Sequence, residues 1–510
     1  MFQENTIYGI LKAAGGADAA AISAPGRPDL SHAGLHAQIE RTVKTLNGFG
    51  IGRADRLAIV LPNGPEMASS FISIAAGAST APLNPAYRQE EYEFYLSDLK
   101  AKALVVEEGS ESPALAAAEK AAIPILWLKV SDGMAAGEFT LEAGNGISTG
   151  AAKQGGFAEA ADEGLVLHTS GTTSRPKIVP LSQSNLAASA RNIRKSLQLT
   201  PADRCLNIMP LFHIHGLIAA VLSSLSAAAG VYCTPGFNAL KVYGWLKEYK
   251  PTWYTAVPTM HQAIMGRAKR NQDIVKNAHL RFVRSSSSSL PPQVMAELEE
   301  IFGCPVVEAY GMTEATHQMA CNPIAPGKQK PGTVGIAAGP EVAIMSKDGK
   351  ILDQGETGEI VIRGDNVTRG YENNPKANAE NFTNGWFRTG DQGVIDADGY
   401  ISITGRLKEI INRGGEKISP REIDEVLMDH PAVSQVVTFA MPHDKLGEEV
   451  AAAVVLREGI GIDEAGLRNF AKEHLADFKV PRKIVFLEEI PKGATGKLQR
   501  IGLAEKLGLA

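Results

Sequence analysis

The sequence predicts an α/β protein with a large N-terminal domain of two doubly wound α/β subdomains plus a small β unit, followed by a small mobile α+β C-terminal domain. Three observations predict it. Short apolar runs alternate with helix-length segments as far as Val307, the pattern changes to turn-linked short strands near Gly332, and a new series of elements begins after Lys408. Runs of buried strand alternating with helix are the mark of a parallel sheet covered on both faces.

The first subdomain rests on Leu57-Ala-Ile-Val-Leu61, Ala103-Leu-Val-Val106, Ile123-Pro-Ile-Leu126 and Gly164-Leu-Val-Leu-His168. Glu142 to Asp162, rich in Gly and Ala with little periodicity, reads as a surface connection. A second set runs from Cys205 to Val307, with strands expected at Val231-Tyr-Cys233, Trp253-Tyr-Thr-Ala-Val257 and Val306-Val307. No charged residue lies between Arg204 and Lys241, yet Pro210, two His and many small residues favour a buried helix and strand over a membrane span. The β unit follows from Glu359-Ile-Val-Ile-Arg363, and from Gly393-Val-Ile-Asp396 joined to Tyr400-Ile-Ser-Ile403 through the hairpin signal Asp398-Gly399. The last unit reads as helix Pro420 to His430, strands Val433 to Ala440 and Val450 to Leu456, helix Asp463 to Leu475 and strand Lys483 to Leu487. We divide the chain into residues 1–405 and 406–510, the second a compact domain on a hinge.

The 510 residues carry 51 basic and 56 acidic side chains, a formal charge of −5 that supplies no basic excess for nucleic acid. Four scattered cysteines with no C-x-x-C spacing support neither a disulfide framework nor a zinc ribbon. The N-terminus lacks a signal-peptide pattern, so a cytoplasmic protein is expected, acting as monomer or homodimer.

His168-Thr-Ser-Gly-Thr-Thr-Ser-Arg-Pro-Lys177 stands after an expected strand and before a Ser-capped helix near Ser182. Hydroxyls, a glycine and a lysine at a strand end suit phosphate oxygens, since backbone N–H groups, O–H donors and a cation converge there. It is no Walker A loop, because Pro176 precedes the lysine and Ile178 follows it. Gly146-Ile-Ser-Thr-Gly150 formally matches a nucleophile elbow but lacks the strand-turn-helix setting. His213-Ile-His215 has the spacing of two ligands on one strand face, but with no third ligand nearby a substrate-facing or core role is the better reading.

In Glu308-Ala-Tyr-Gly-Met-Thr-Glu314 a carboxylate beside a hydroxyl at a strand end suits Mg²⁺ on a nucleotide phosphate, and a tyrosine offers a stacking face. Trp386-Phe-Arg-Thr-Gly-Asp391 ends in a carboxylate fit for a ribose, though a solvated turn reads equally well. Ser285 to Ser289, taken bare, is a polar loop. The Gly-flanked lysines of Gly405-Arg-Leu-Lys408 and Pro491-Lys-Gly-Ala-Thr-Gly-Lys497 suit a charge delivered for one step only.

In this order the motifs resemble the adenylate-forming superfamily of acyl-CoA synthetases, coumarate-CoA ligases, luciferases and peptide-synthetase adenylation domains, over about the whole chain. Thr169-Ser-Gly-Thr-Thr-Ser-Arg-Pro-Lys177, Thr252-Trp-Tyr-Thr-Ala-Val-Pro-Thr259, Met312-Thr-Glu-Ala-Thr-His317 and Asn412-Arg-Gly-Gly-Glu-Lys-Ile-Ser-Pro420 are most similar to the oxalyl-CoA synthetase group. Two departures stand out: Ile178 replaces the usual glycine, and the serine run replaces Gly-Ala-Ala-Pro.

The resemblance implies a ligase using ATP, Mg²⁺ and coenzyme A on a small carboxylic acid, through an acyl-adenylate. It implies that Thr169, Ser170, Gly171, Thr172, Thr173 and Lys177 cradle the phosphates and that Ser287, Ser288, Glu308, Ala309 and Tyr310 surround the adenine. Asp391 and Arg406 would take the ribose, Thr313 the α-phosphate and Glu314 the Mg²⁺. Lys497 and His213 complete the catalytic set. His213, His215, Ser285, Ser286 and His317 would face the acid, Lys408 would be the hinge, and Gly414 and Gly415 would approach CoA. So polar a set points to oxalate or another small polar acid; medium-chain or aryl acids, and loading of a carrier protein, stand as alternatives.

Overall fold

The computed structural model describes residues 4–169, 176–493 and 497–510. Its first sheet has seven strands, with Arg56–Val60, Ser79–Pro82, Ala103–Glu107, Ile125–Lys129 and Glu163–His168 parallel and antiparallel strands at both ends. The second has nine. Its parallel heart is Arg204–Asn207, Gly230–Cys233, Trp253–Ala256, Phe282–Ser286 and Val306–Met312, and the early strand Ala20–Ser23 crosses over to join it. These strands are buried almost end to end, which is why they read as continuous apolar runs.

The β unit is an antiparallel sheet of Glu341–Met345, Gly358–Arg363, Trp386–Ile395, Phe382–Thr383 and Ile401–Arg406. Trp386 to Asp391 is therefore strand and not a solvated turn: alternate residues of Trp386–Ile395 are buried against the unit's core. The C-terminal unit has helices Pro420–Met428 and Glu464–His474 and strands Val433–His443, Gly447–Leu456 and Lys483–Phe486, with an added hairpin of Ile411–Arg413 and Glu416–Ile418. Gly414 and Gly415 form its turn at φ +59° and +101°, the backbone a two-residue hairpin requires.

One local expectation is extended and one corrected. The Ser-capped helix expected near Ser182 is present as Gln183–Ser196, with Ser182 exchanging hydrogen bonds with Asn185, and the antiparallel strand Ile178–Ser182 precedes it. His213 and His215 do not share a strand face. They lie at the start of the buried π-helical segment His215–Leu222, where a Cβ on Gly216 would stand 2.4 Å from the Pro210 carbonyl oxygen. That contact leaves only glycine room there. The Arg204 to Lys241 stretch is buried helix and strand as expected, and among the described residues no helix is long and apolar enough to cross a membrane.

The C-terminal unit docks on the helices flanking the nine-stranded sheet, with Ile411, Ile423 and Leu427 sharing a core with Met260 and Ile264. Few polar contacts accompany it: Gln262 Nε2 to the Ser434 carbonyl at 3.1 Å, Arg421 to the Ile403 carbonyl at 2.7 Å, and the ion pair Arg457–Glu297 at 3.3 Å.

Candidate active site

The site lies where the ends of the two large sheets, the β unit and the C-terminal unit meet. Tyr310, on Val306–Met312, donates its hydroxyl to Asp391 Oδ2 at 2.5 Å, while Arg406 Nε holds Asp391 Oδ1 at 2.9 Å. Asp391 and Arg406 face each other across the Trp386–Ile395 and Ile401–Arg406 ladder, so strand register alone sets this pair. The carboxylate holds the guanidinium more firmly protonated than usual, and burial beside Asp391 raises the Tyr310 hydroxyl well above its ordinary value.

Thr313 and Glu314 form a tight turn after Tyr310. Glu314 is buried; Tyr371 donates to its Oε1 at 2.8 Å, and the Lys177 ammonium lies 4.3 Å from the centre of the Tyr371 ring. Burial raises the Glu314 carboxyl, opposed by Tyr371, Lys177 and Arg406. Tyr371 is held by Glu372, whose N–H bonds the Ile178 carbonyl at 3.0 Å and whose carboxylate pairs with Arg56. Thr169 and Lys177 bracket their loop through Thr169 N–H to the Lys177 carbonyl at 3.0 Å. Ser170, Gly171, Thr172 and Thr173 lie outside the described residues.

Lys497 is half-buried near these charges. Loss of solvent pushes its ammonium down to about 8, Arg406 pushing the same way while Asp391 and Glu314 oppose. It also bears electrostatically on His213, His215 and His317, which sets the lysine near the three imidazoles. Burial keeps all three neutral, His213 pushed down to about 3.

The pocket wall is polar. His215 Nδ1 faces Ser287 Oγ at 3.0 Å, His215 Nε2 faces Thr255 Oγ1 at 2.6 Å, and the His215 and His317 rings stand edge to face at 5.0 Å. Ser285 Oγ and His317 Nδ1 are buried without a hydrogen-bond partner among the described residues, whereas Ser286 spends its hydroxyl on the Ala309 carbonyl at 2.8 Å. Ser288 is exposed. Ser287 and His317 hold left-handed backbones at φ +74° and +96°, unusual for residues with a side chain. A Cβ on Gly311 would stand 2.1 Å from the His317 carbonyl oxygen, so Gly311 lets that residue close in. Glu308 points away from this wall: its Oε1 accepts from Leu290 N–H at 3.0 Å and its Oε2 has no partner.

Lys408 is exposed in the turn between the β unit and the C-terminal hairpin. Gly414 N–H bonds the Leu446 carbonyl at 2.8 Å. Sequence reasoning missed Tyr371, Thr255, Gln318 and Arg284. Thr255 lies inside a quoted motif, and Arg284 was visible as a lone charge in an apolar strand beside the serine run.

Two large α/β sheets joined to a small β unit and followed by a small α+β unit that carries Lys497 are the architecture of an adenylate-forming enzyme. Residues 11–372 match the AMP-binding enzyme family and residues 422–497 the AMP-binding enzyme C-terminal domain, and the chain belongs to that family. It is 46% identical over 496 residues to an oxalate–CoA ligase of Arabidopsis thaliana, covering 95% of this chain and 94% of the relative. It is 42% identical over 500 residues to an oxalate–CoA ligase of Saccharomyces cerevisiae, covering 94% and 91%. Among solved structures it resembles ATP-bound MatB from Rhodopseudomonas palustris, with TM-score 0.87, 28% identity and 99% of each chain covered.

Proposed function

We propose that this chain is an ATP-dependent, AMP-forming ligase that joins oxalate to coenzyme A. The observation that carries the choice of acid is the polar cluster of His215, His317 and Ser287, with His213 and Lys497 near it. An alkyl chain there would strand buried donors at about 1–3 kcal/mol each, whereas a second carboxylate satisfies them. The two oxalate–CoA ligases, alike over nearly the whole chain, support the same reading.

In the first step a carboxylate oxygen of the acid attacks the α-phosphorus of ATP, the bond to pyrophosphate breaks, and an acyl-adenylate remains. Anion meets polyanion, so the barrier is largely electrostatic. Lys497 neutralises the incoming carboxylate and the phosphoryl oxygens, Lys177 takes the departing phosphates, and Asp391 accepts from the ribose hydroxyls while Tyr310 offers its ring to adenine. Glu314 would hold Mg²⁺: it is a buried carboxylate whose Oε1 accepts from Tyr371, and a single carboxylate suits an ion that brings its own waters and phosphate ligands. That ion supplies charge neutralisation. No cluster of three metal-ligating side chains occurs among the described residues.

In the second step the CoA sulfur attacks the adenylate carbonyl carbon, the C–S bond forms, and AMP leaves. Lys497 must withdraw first. We place the pivot at Lys408, dividing a 1–405 domain from a mobile 406–510 domain that turns the Gly414-Gly415 hairpin toward the site.

A pyrophosphate-release screen over oxalate, malonate, acetate and hexanoate tests the proposal. Oxalate is expected to give the highest kcat/KM, and His317→Ala to lose activity selectively with oxalate. A wild-type preference for hexanoate overturns the small-acid reading; equal loss with both acids assigns His317 to scaffolding.

A further inference from the structure

The nine-stranded sheet buries a charge to which the reaction above gives no role. Arg284 is fully buried on Phe282–Ser286, and all its hydrogen-bond partners among the described residues are neutral. One terminal nitrogen lies 3.3 Å from Thr255 Oγ1 and 3.4 Å from His215 Nε2, the other 3.3 Å from Gln318 Oε1, and Nε has no partner among the described residues. A buried cation without a carboxylate is costly, and an apolar residue of similar volume often serves stability as well or better. Stability therefore does not explain the residue.

Hydrogen-bond polarity does. A guanidinium only donates. The same guanidinium nitrogen donates to Thr255 Oγ1 and faces His215 Nε2, so Nε2 carries a lone pair, and Thr255 turns its own hydrogen toward it. The neutral imidazole then has its proton on Nδ1, where it donates to Ser287 Oγ at 3.0 Å. With its lone pair engaged from behind, Ser287 has its hydroxyl hydrogen left for the pocket.

Resting on the oxalate reading, we propose that Arg284 is a positioning and selectivity residue. Through Thr255 and His215 it polarises Ser287 as a donor to the second carboxylate of a small dianionic acid, and it places a fixed positive charge behind that carboxylate. The relay runs through two adjacent parallel strands and the helical segment beside them: Thr255 on Trp253–Ala256 neighbours Arg284 in register, His215 opens His215–Leu222, and Ser287 directly follows Phe282–Ser286.

Two measurements on the full chain test this. Long-range ¹⁵N–¹H correlation on histidine-labelled, ligand-free protein, with the His215 signal assigned by its loss in His215→Gln, is expected to show the Nδ1–H tautomer in wild type and a mixture in Arg284→Met. In kinetics, Arg284→Met should raise the KM for oxalate about tenfold, with the KM for ATP and the melting temperature unchanged. Arg284→Lys should recover part of the loss, and Arg284→Met combined with Ser287→Ala should cost no more than the larger single effect. If Arg284→Met does not fold, Thr255→Val interrupts the relay while keeping the charge, and should show the same tautomer mixture. An Nε2–H tautomer in wild type overturns the relay, and an unchanged oxalate-to-acetate ratio in Arg284→Met overturns the selectivity role. A wild-type preference for hexanoate overturns the substrate reading and with it that role, while the tautomer still decides the relay.

Discussion

Tyr310 and Asp391, 81 residues apart, are joined by a 2.5 Å hydrogen bond that ties an interior strand of the nine-stranded sheet to the β unit. The candidate site is thus assembled across two sheets that share one hydrophobic core. A substitution at either residue costs geometry at both.

Lys497→Ala is expected to abolish ATP-pyrophosphate exchange while leaving thioester formation from supplied acyl-adenylate largely intact. The lysine feels Asp391 and Glu314 electrostatically, and in the proposed reaction its charge serves only the anionic encounter. Equal loss in both half-reactions would refute the assignment.

The adenylation step should lose its proton-dependent partner above about pH 8. Burial and Arg406 lower the Lys497 ammonium to about 8, so the cation is complete below that pH and lost above it. The kcat/KM for the acid, which reports the free enzyme, is expected to fall about tenfold per pH unit on the alkaline side. Lys497→Arg, permanently charged, should flatten that limb whatever its absolute rate; a limb that persists belongs to another group.

Lys408→Pro should slow thioester formation while exchange survives. Proline fixes φ near −65°, and a pivot must change its dihedrals between steps. The exposed turn at Lys408 imposes no packing penalty that would blur the readout. Exchange lost as fully as overall turnover would place the pivot elsewhere.

Glu308→Gln should stabilise the protein at pH 8 and not at pH 4. Burial raises the Glu308 carboxyl from its usual 4.5 to about 7, against the pull of Arg421 and with Glu425 adding to the rise. The folded state then binds more protons than the unfolded chain between those values, so stability falls as pH rises through that window. The difference is at most about 3 kcal/mol. The glutamine keeps the acceptor for Leu290 N–H, and melting curves at the two pH values decide the matter.

Much of this architecture was legible because buried parallel strands are continuous apolar runs, and because Asp398-Gly399 marks its hairpin. Strand Ile178–Ser182 escaped because Pro180 sits inside it, a residue tolerated only where a strand forms the sheet edge, as this one does. The site was legible where motifs are contiguous, as at Tyr310 to Glu314. Tyr371 and Gln318 were not, since their meaning comes from contacts with Glu314 and Arg284 on other elements. Arg284 reads in sequence as an interruption of a strand; only the neighbouring strands reveal that it is enclosed.

The left-handed backbones at Ser287 and His317 carry a consequence for engineering. Glycine at either position would relieve local strain, so a search for thermostable variants by melting temperature alone would select it. Such variants would lose the Ser287 hydroxyl or the His317 imidazole from the pocket wall. Heat tolerance and discrimination among acids are therefore opposed at these two positions, and a programme to improve one must screen for the other.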